Sequence, residues 1–319
     1  MTRRSVPTAF LAVVAALAVF GIGVLAGREI TRPPPTSVRE AAAVYDLSAA
    51  AAIPPALLTY RLALSIPVGL REPRGIASIQ DGGVYVCGDQ ELVLLGRGGE
   101  VRGRWELGGE PTCVTASGGR AYVGVRDHLE VVEPAGELTV WPDLGSQAIV
   151  TSVAAVGDAV FVADAGNRML LRFSSAGALA GAVARDFTVP SPFFDVAGAP
   201  DGSIYAADPG AQRVRHYSAS GKLLGAWGTS SLKAEGFAGC CNPAHIAVLP
   251  CGALVTAEKG LPRVKVYEPD GRLTAVVAAP ADFRATESGL DLATRKANGG
   301  EILVLVPLER VVRVYVKAG

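Results

Sequence analysis

"VFVADAGNRMLLRF", Val160–Phe173, is the stretch on which the fold turns. Two short runs rich in β-branched and aromatic residues flank a polar loop, the pattern of two strands and a tight connection. The same second run recurs as "VYV" at Val84, "AYV" at Ala121, "IYA" at Ile204, "LVT" at Leu254 and "ILV" at Ile302. The third run recurs as "VRHY" ending at Tyr217, "VKVY" ending at Tyr267 and "VRVY" ending at Tyr315. Ahead of each pair lies a first apolar run, around Ile76, Val114, Val153, Val196, Ile246 and Leu292, at steps of 38, 39, 43, 50 and 46 residues. Behind the third run come turns ending in Gly177, Gly221 and Gly271, then a fourth run closing on Trp105, Trp141 or Trp227. Glycine there supplies the positive φ of a hairpin turn. Four strands in about 40–45 residues is the period of a propeller blade.

The sixth repeat stops at "YVKAG", where its fourth strand should begin, while "LLTYRLAL", Leu57–Leu64, stands unassigned before the first repeat. Pairing that strand with the last three closes a ring and removes the open edges. The expectation is an all-β, six-bladed β-propeller over residues 57–319, closed by an N-terminal strand that completes the last blade.

The repeats also resemble the NHL family, whose acid, glycine, asparagine and arginine appear as Asp164, Gly166, Asn167 and Arg168. Weaker forms hold Asp208, Gly210 and Arg213, then Glu258, Gly260 and Arg263. The resemblance implies a six-bladed propeller. It leaves function open, because such propellers include protein-binding, RNA-binding and enzymatic members, and fold does not carry function.

The N-terminus adds a location. Arg3 and Arg4 precede an uncharged run from Ala9 to Ala26, long enough to span a bilayer as a helix. Residues 1–27 are therefore expected to be a transmembrane signal-anchor, with a cleaved secretory signal as the rival because Val24-Leu25-Ala26 resembles a peptidase site. Residues 28–56 form a Pro/Ala-rich linker, with a short helix expected over Ala41–Ala52. Either reading puts the propeller outside the cytoplasm, periplasmic in a Gram-negative cell and secreted if the signal is cleaved. Disulfides can form there. Lys plus Arg and Asp plus Glu balance at 30 each, so no summed field draws the chain to nucleic acid.

In a propeller the loops between blades share one face with the loops joining second and third strands. "EGFAGCCNPAHI", Glu235–Ile246, falls on that face between blades four and five. Adjacent Cys240 and Cys241 admit three readings: a vicinal disulfide forming a rigid corner, free thiols in a close-packed turn, or a metal or redox pair. Lys259 and Arg263 on the next loop are expected nearby, where positive charge favours thiolate. The residues before the inner-strand landmarks, Gly75, Cys113, Ser152, Asp195, His245 and Asp291, should ring the channel mouth. Asp195, His245 and Asp291 then form one imidazole between two carboxylates, able to line a hydrated channel, tune an acid–base group or hold a divalent metal. Carboxylate and arginine a few residues apart, as in the Asp164, Asp208 and Glu258 loops, read as structural staples.

No hydrolase triad, phosphate loop, dinucleotide fingerprint or spaced zinc motif is present. The amidating lyases of NHL type use several channel histidines, and this chain has three in all, with His128 and His216 expected away from the axis. The leading expectation is a membrane-tethered scaffold binding a protein or peptide through Asn242, His245, Lys259, Arg263, Asp195 and Asp291. The alternative is a redox- or metal-dependent accessory using Cys240, Cys241 and His245, serving a membrane electron-transfer complex.

Overall fold

In the computed structural model the described residues are 52–319, apart from 285, 286, 288 and 298. They fold as six four-stranded antiparallel sheets. The expected span, and the linker with its helix as far as residue 51, lie outside these residues. Among the described residues no helix is long and apolar enough to cross a membrane.

Blade one comprises Pro73–Ser78, Val84–Gly88, Glu91–Leu95 and Val101–Glu106. Blade two comprises Pro111–Ser117, Arg120–Val125, His128–Val132 and Leu138–Val140. Blade three comprises Val150–Val156, Ala159–Asp164, Met169–Ser174 and Leu179–Ala184. Blade four comprises Val196–Gly198, Ile204–Asp208, Arg213–Tyr217 and Leu223–Trp227. Blade five comprises His245–Val248, Leu254–Glu258, Arg263–Tyr267 and Leu273–Ala278. Blade six comprises Asp291–Arg295, Glu301–Val306 and Val311–Lys317, with Tyr60–Pro67 as its outer strand.

The closing strand pairs antiparallel with the last, from Tyr60 opposite Lys317 to Pro67 opposite Val311. It begins three residues later than the sequence pattern suggests, because Pro55–Leu57 form a 3-10 turn before it. Second and third strands alternate between two buried faces, so each interface between neighbouring blades holds its own apolar cluster. The seam between blades six and one is no exception: Ile66 and Val68 pack with Val84, Val93, Leu303 and Val312.

One contact recurs around the ring. The hairpin glycine between third and fourth strands presses on the fourth strand of the preceding blade. A Cβ at Gly177 would lie 2.9–3.0 Å from the Trp141 indole, and one at Gly271 would lie 2.7 Å from that of Trp227. Gly136 accepts from Trp105 Nε1 at 3.0 Å through its carbonyl. At the seam Gly99 meets Ile66 of the closing strand, where a Cβ would lie 2.9 Å from Cγ2.

This pattern separates two costs of losing a glycine. Gly177 and Gly202 both have φ of +86°, but nothing lies within 4 Å of a Cβ built at Gly202. Gly202→Ala should therefore cost about 1 kcal/mol from backbone strain alone. Gly177→Ala should cost roughly 2–4 kcal/mol, because overpacking against Trp141 adds to that strain. Urea midpoints of the two variants measure the difference.

Candidate functional site

The first strands line a central channel of about 1210 Å³. Its walls are mostly small side chains, such as Ala77, Ala116, Ala154, Ala197, Ala247 and Ala293. On the face carrying the inter-blade loops, the start of each inner strand reaches toward its neighbour. Ser152 Oγ accepts from Val196 N at 3.1 Å, Asp195 Oδ2 from Ile246 N at 2.6 Å, and Asp291 Oδ2 from Ile76 N at 2.7 Å. Between blades one and two the contact is steric: a Cβ at Gly75 would lie 3.0 Å from both Cys113 Cα and Cys87 Sγ.

Asp195, His245 and Asp291 come together within this ring. His245 Nδ1 lies 3.2 Å from Asp291 Oδ1 and 3.6 Å from Asp195 Oδ2. Burial alone would lower the imidazole pKa, but hydrogen bonds to both carboxylates and their charges outweigh it and push it up to about 10. At neutral pH the group is an imidazolium between two carboxylates. Each carboxylate also holds a backbone N–H of the following blade, so the triad ties blades four, five, six and one together. Its ligand atoms lie within 4.8 Å of one another, close enough for a metal ion. A metal there would have to displace the proton that these two carboxylates hold most tightly.

The Cys corner pairs an outward with an inward side chain. Cys240 is exposed and Cys241 buried, both are thiols, and their sulfurs stand 3.3 Å apart. That exceeds the 2.03–2.05 Å of a disulfide, so in this structure the two stand as adjacent thiols. The neighbouring Cys241 sulfur pushes the Cys240 thiol above its usual range, and the opposing pull of Lys259 is the weakest influence. Lys259 acts in the expected direction, toward the thiolate, but is outweighed. Burial also raises Cys87, and it pushes Cys113 up to about 12. The Asn242–Pro243 peptide is cis.

Two residues expected to meet a partner face inward. Asn242 is 1 % exposed, donates to Lys259 O at 3.0 Å and accepts from Lys259 N at 2.9 Å, stitching the corner to the next loop. Arg263 is fully buried. It donates to Glu258 at 2.8 and 3.1 Å and to the carbonyl of Leu232 at 3.3 Å. Lys265, also fully buried, reaches Glu258 at 2.7 Å and the carbonyls of Ala234 and Gly236. The two cations thus fold the long loop between blades four and five over Glu258, whose Oε2 accepts from Ala238 N at 2.7 Å.

The acid–arginine staple holds in blade five and shifts elsewhere. Asp208 receives Arg215 at 2.6 and 2.9 Å, with Arg213 at 3.9 Å. Asp164 accepts from Ile149 N, Asn167 N and Asn167 Nδ2, and these donors do the work expected of Arg168.

Lys259 does remain at the mouth, half-buried. Its Nζ lies 4.0 Å from the Phe193 ring centroid and donates to Ser191 Oγ at 3.0 Å. Phe193 in turn meets the His245 ring edge-on at 5.9 Å. The sequence reading missed Ser191 and Phe193. Their signal was the aromatic pair of "SPFFD", Ser191–Asp195, directly ahead of an inner strand. His216 lies off the axis, stacked on Tyr205 at 4.1 Å.

No family model and no curated protein matches the sequence. Solved structures do match the fold. The WD40 β-propeller domain of Doa1 is 13% identical with a TM-score of 0.58, over 81% of this chain and 97% of that one. The calcium-binding protein regucalcin from Agrobacterium tumefaciens is 15% identical with a TM-score of 0.58, over 81% and 96%. Virginiamycin B lyase from Staphylococcus aureus is 13% identical with a TM-score of 0.53, over 81% and 88%. Identities this low establish a shared propeller fold alone.

Two predictions follow from the charges. Because the folded pKa of His245 is raised, its contribution to stability is complete below the ordinary value near 6.5 and is lost as pH rises through about 10. Urea midpoints measured from pH 6 to 10 should fall with pH, and the fall should be smaller in His245→Gln. Arg263→Met, which breaks a buried pair, should cost about 3–5 kcal/mol, against about 1 kcal/mol or less for Lys259→Met.

Proposed function

We propose that the chain is an NHL-type propeller scaffold, tethered outside the cytoplasm by its N-terminal segment, that binds a protein or peptide at the axial mouth between blades four and five. The observation that carries this reading is the shelf formed by Lys259, Phe193 and Ser191. A cation is held over an aromatic face beside the channel, with an apolar ring half-exposed next to it. Such a shelf suits a partner segment that offers a carboxylate to Lys259 and an apolar side chain to Phe193. Asp195, His245 and Asp291 form its floor. Asn242 and Arg263 shape it from within.

The test uses the full-length chain in its native membranes, with a photo-crosslinker placed on the shelf. One specific cross-linked partner is expected, and it should be lost in Lys259→Glu and in Phe193→Ala while the urea midpoint stays near that of the parent chain. Failure to cross-link, or a partner indifferent to both substitutions, rejects the reading.

One observation favours a second reading, a redox accessory to a membrane electron-transfer complex: the Cys240 and Cys241 sulfurs are 3.3 Å apart on the same face. Oxidation to a disulfide would release two protons and two electrons to an acceptor such as another disulfide. Thiol counting before and after reduction should then show two thiols that interconvert at a defined potential. Cysteines inert to both treatments eliminate it.

A further inference from the structure

The buried carboxylate that fastens an inter-blade loop has cationic side chains on it in blades four and five, and a different arrangement in blade two. The register makes the comparison direct. Asp208 stands opposite Arg213 and Ala206 opposite Arg215; Glu258 stands opposite Arg263 and Thr256 opposite Lys265. In blade two Val125 stands opposite His128 and Val123 opposite Glu130. His128 thus holds the place of Arg213 and Arg263, and the acid Glu130 holds the place of Arg215 and Lys265.

Glu130 still does the fastening. Its Oε1 accepts from Gly108 N at 2.9 Å, as Asp208 accepts from Thr188 N at 2.8 Å. It is only 1 % exposed, yet its ion-pair partner among the described residues is His128 alone, with Nε2 3.5 Å from Oε1. Its Oε2 is buried with no hydrogen-bond partner among those residues. A buried carboxylate left in that state is costly unless a charge compensates it.

The surroundings add more negative charge. His128 Nδ1 lies 3.0 Å from Asp127 Oδ1. Asp143 is drawn in by the loop after the fourth strand, which donates from Trp141 N to Leu129 O at 2.9 Å and from Leu144 N to Asp127 O at 2.8 Å. One ligand atom from each of Asp127, His128 and Asp143 lies within 4.8 Å of the others. Two ligands each about 2.1 Å from one ion stand about 3.0 Å apart at the right angle of an octahedral site and about 3.4 Å apart at the tetrahedral angle usual for zinc. Asp127 Oδ1 and His128 Nδ1, at hydrogen-bond distance from one another, need move apart by less than about 0.5 Å to meet either geometry. A carboxylate behind the other imidazole nitrogen, as Glu130 is, orients metal-binding histidines and raises their basicity.

We propose that Asp127, His128 and Asp143 bind a divalent first-row transition-metal ion on the rim of blade two, with Glu130 as the positioning residue behind His128. An imidazole nitrogen among carboxylate oxygens suits Zn2+ or Mn2+ better than Ca2+ or Mg2+, which take oxygen ligands. On binding, the metal takes the Nδ1 lone pair, any Nδ1 proton leaves to solvent, and Nε2–H stays toward Glu130. Asp143 is exposed, so water fills the remaining positions. The bound ion neutralises the charge around Glu130 and clamps the Asp127 loop to the chain entering blade three. This site is separate from the axial triad and does not depend on the partner proposed there.

Equilibrium dialysis of the full-length chain against Zn2+ alone, and separately against Ca2+ alone, with elemental analysis, tests it. One Zn2+ per chain is expected, with Ca2+ at least tenfold weaker. His128→Gln and the exposed Asp143→Asn should each weaken Zn2+ binding at least tenfold, and His245→Gln should leave it unchanged. Circular dichroism establishes that each variant is folded. The proposal is overturned if the parent chain binds no Zn2+, if Asp143→Asn binds it as tightly as the parent, if Ca2+ binds as tightly as Zn2+, or if His245→Gln abolishes binding.

Discussion

The antiparallel pairing of Tyr60–Pro67 with Val311–Lys317 is the constraint on which the remaining structure depends. It gives blade six its fourth strand and seats Ile66 beneath the hairpin of blade one. Only in a closed ring do blades six and one meet at the axis. Ile76 N can then reach Asp291, and Ser78 Oγ can donate to Thr294 O at 2.5 Å. The first of these contacts fixes Asp291, one of the two carboxylates that raise the His245 pKa, so a strand that pairs on the outside of the ring bears on the axial triad. Local strand propensity builds each blade, but the site exists only once both ends of the chain are joined.

The inter-blade loops show one task met by different chemistry. Asp89, Asp164, Asp208 and Glu258 all accept backbone N–H groups from the incoming loop. What accompanies each carboxylate differs. Asp164 is satisfied by the backbone and by the Asn167 amide. Asp208, fully buried, takes a bidentate arginine, and Glu258, under a longer loop, takes both an arginine and a lysine. A charge withdrawn from water requires either dense hydrogen bonding or an opposite charge. Blade five uses its surplus cation for a second purpose: Lys265 is carried into the loop carbonyls, and burial lowers its pKa to about 8.

Period and propensity made the architecture legible. The six first strands, the tryptophan-ended fourth strands and the missing last strand can all be read from residues close together in the chain. Repeat alignment transferred equally well to the ring of inner-strand starts, which is how Asp195, His245 and Asp291 could be grouped before any distance was known. The contact of hairpin glycines on the preceding fourth strands was not legible, although both partners were visible, because it joins different repeats. Arg213 and Arg215 illustrate another limit. They lie two apart on one strand and so share a face, and only the depth of Asp208 decides which of them binds it. Asn242 belongs to a loop and Arg263 opens a strand at a loop's edge, and in both places the direction of a polar side chain follows from tertiary packing. Their types suggested outward contacts, whereas their hydrogen bonds point inward.

Phe193 organises the charges at the mouth. Its face carries the Lys259 ammonium, which the negative quadrupole of the ring attracts, while the His245 ring meets it edge-on at an interplanar angle of 87°. Behind it, two carboxylates and one imidazolium leave the axial triad with a net negative charge at neutral pH. In front stands the half-buried ammonium of Lys259. The charge therefore changes sign between the shelf and the triad a few ångströms behind it. The alanines lining the channel let six inner strands approach one another around the axis, while serines, threonines and charged residues among them keep its wall polar.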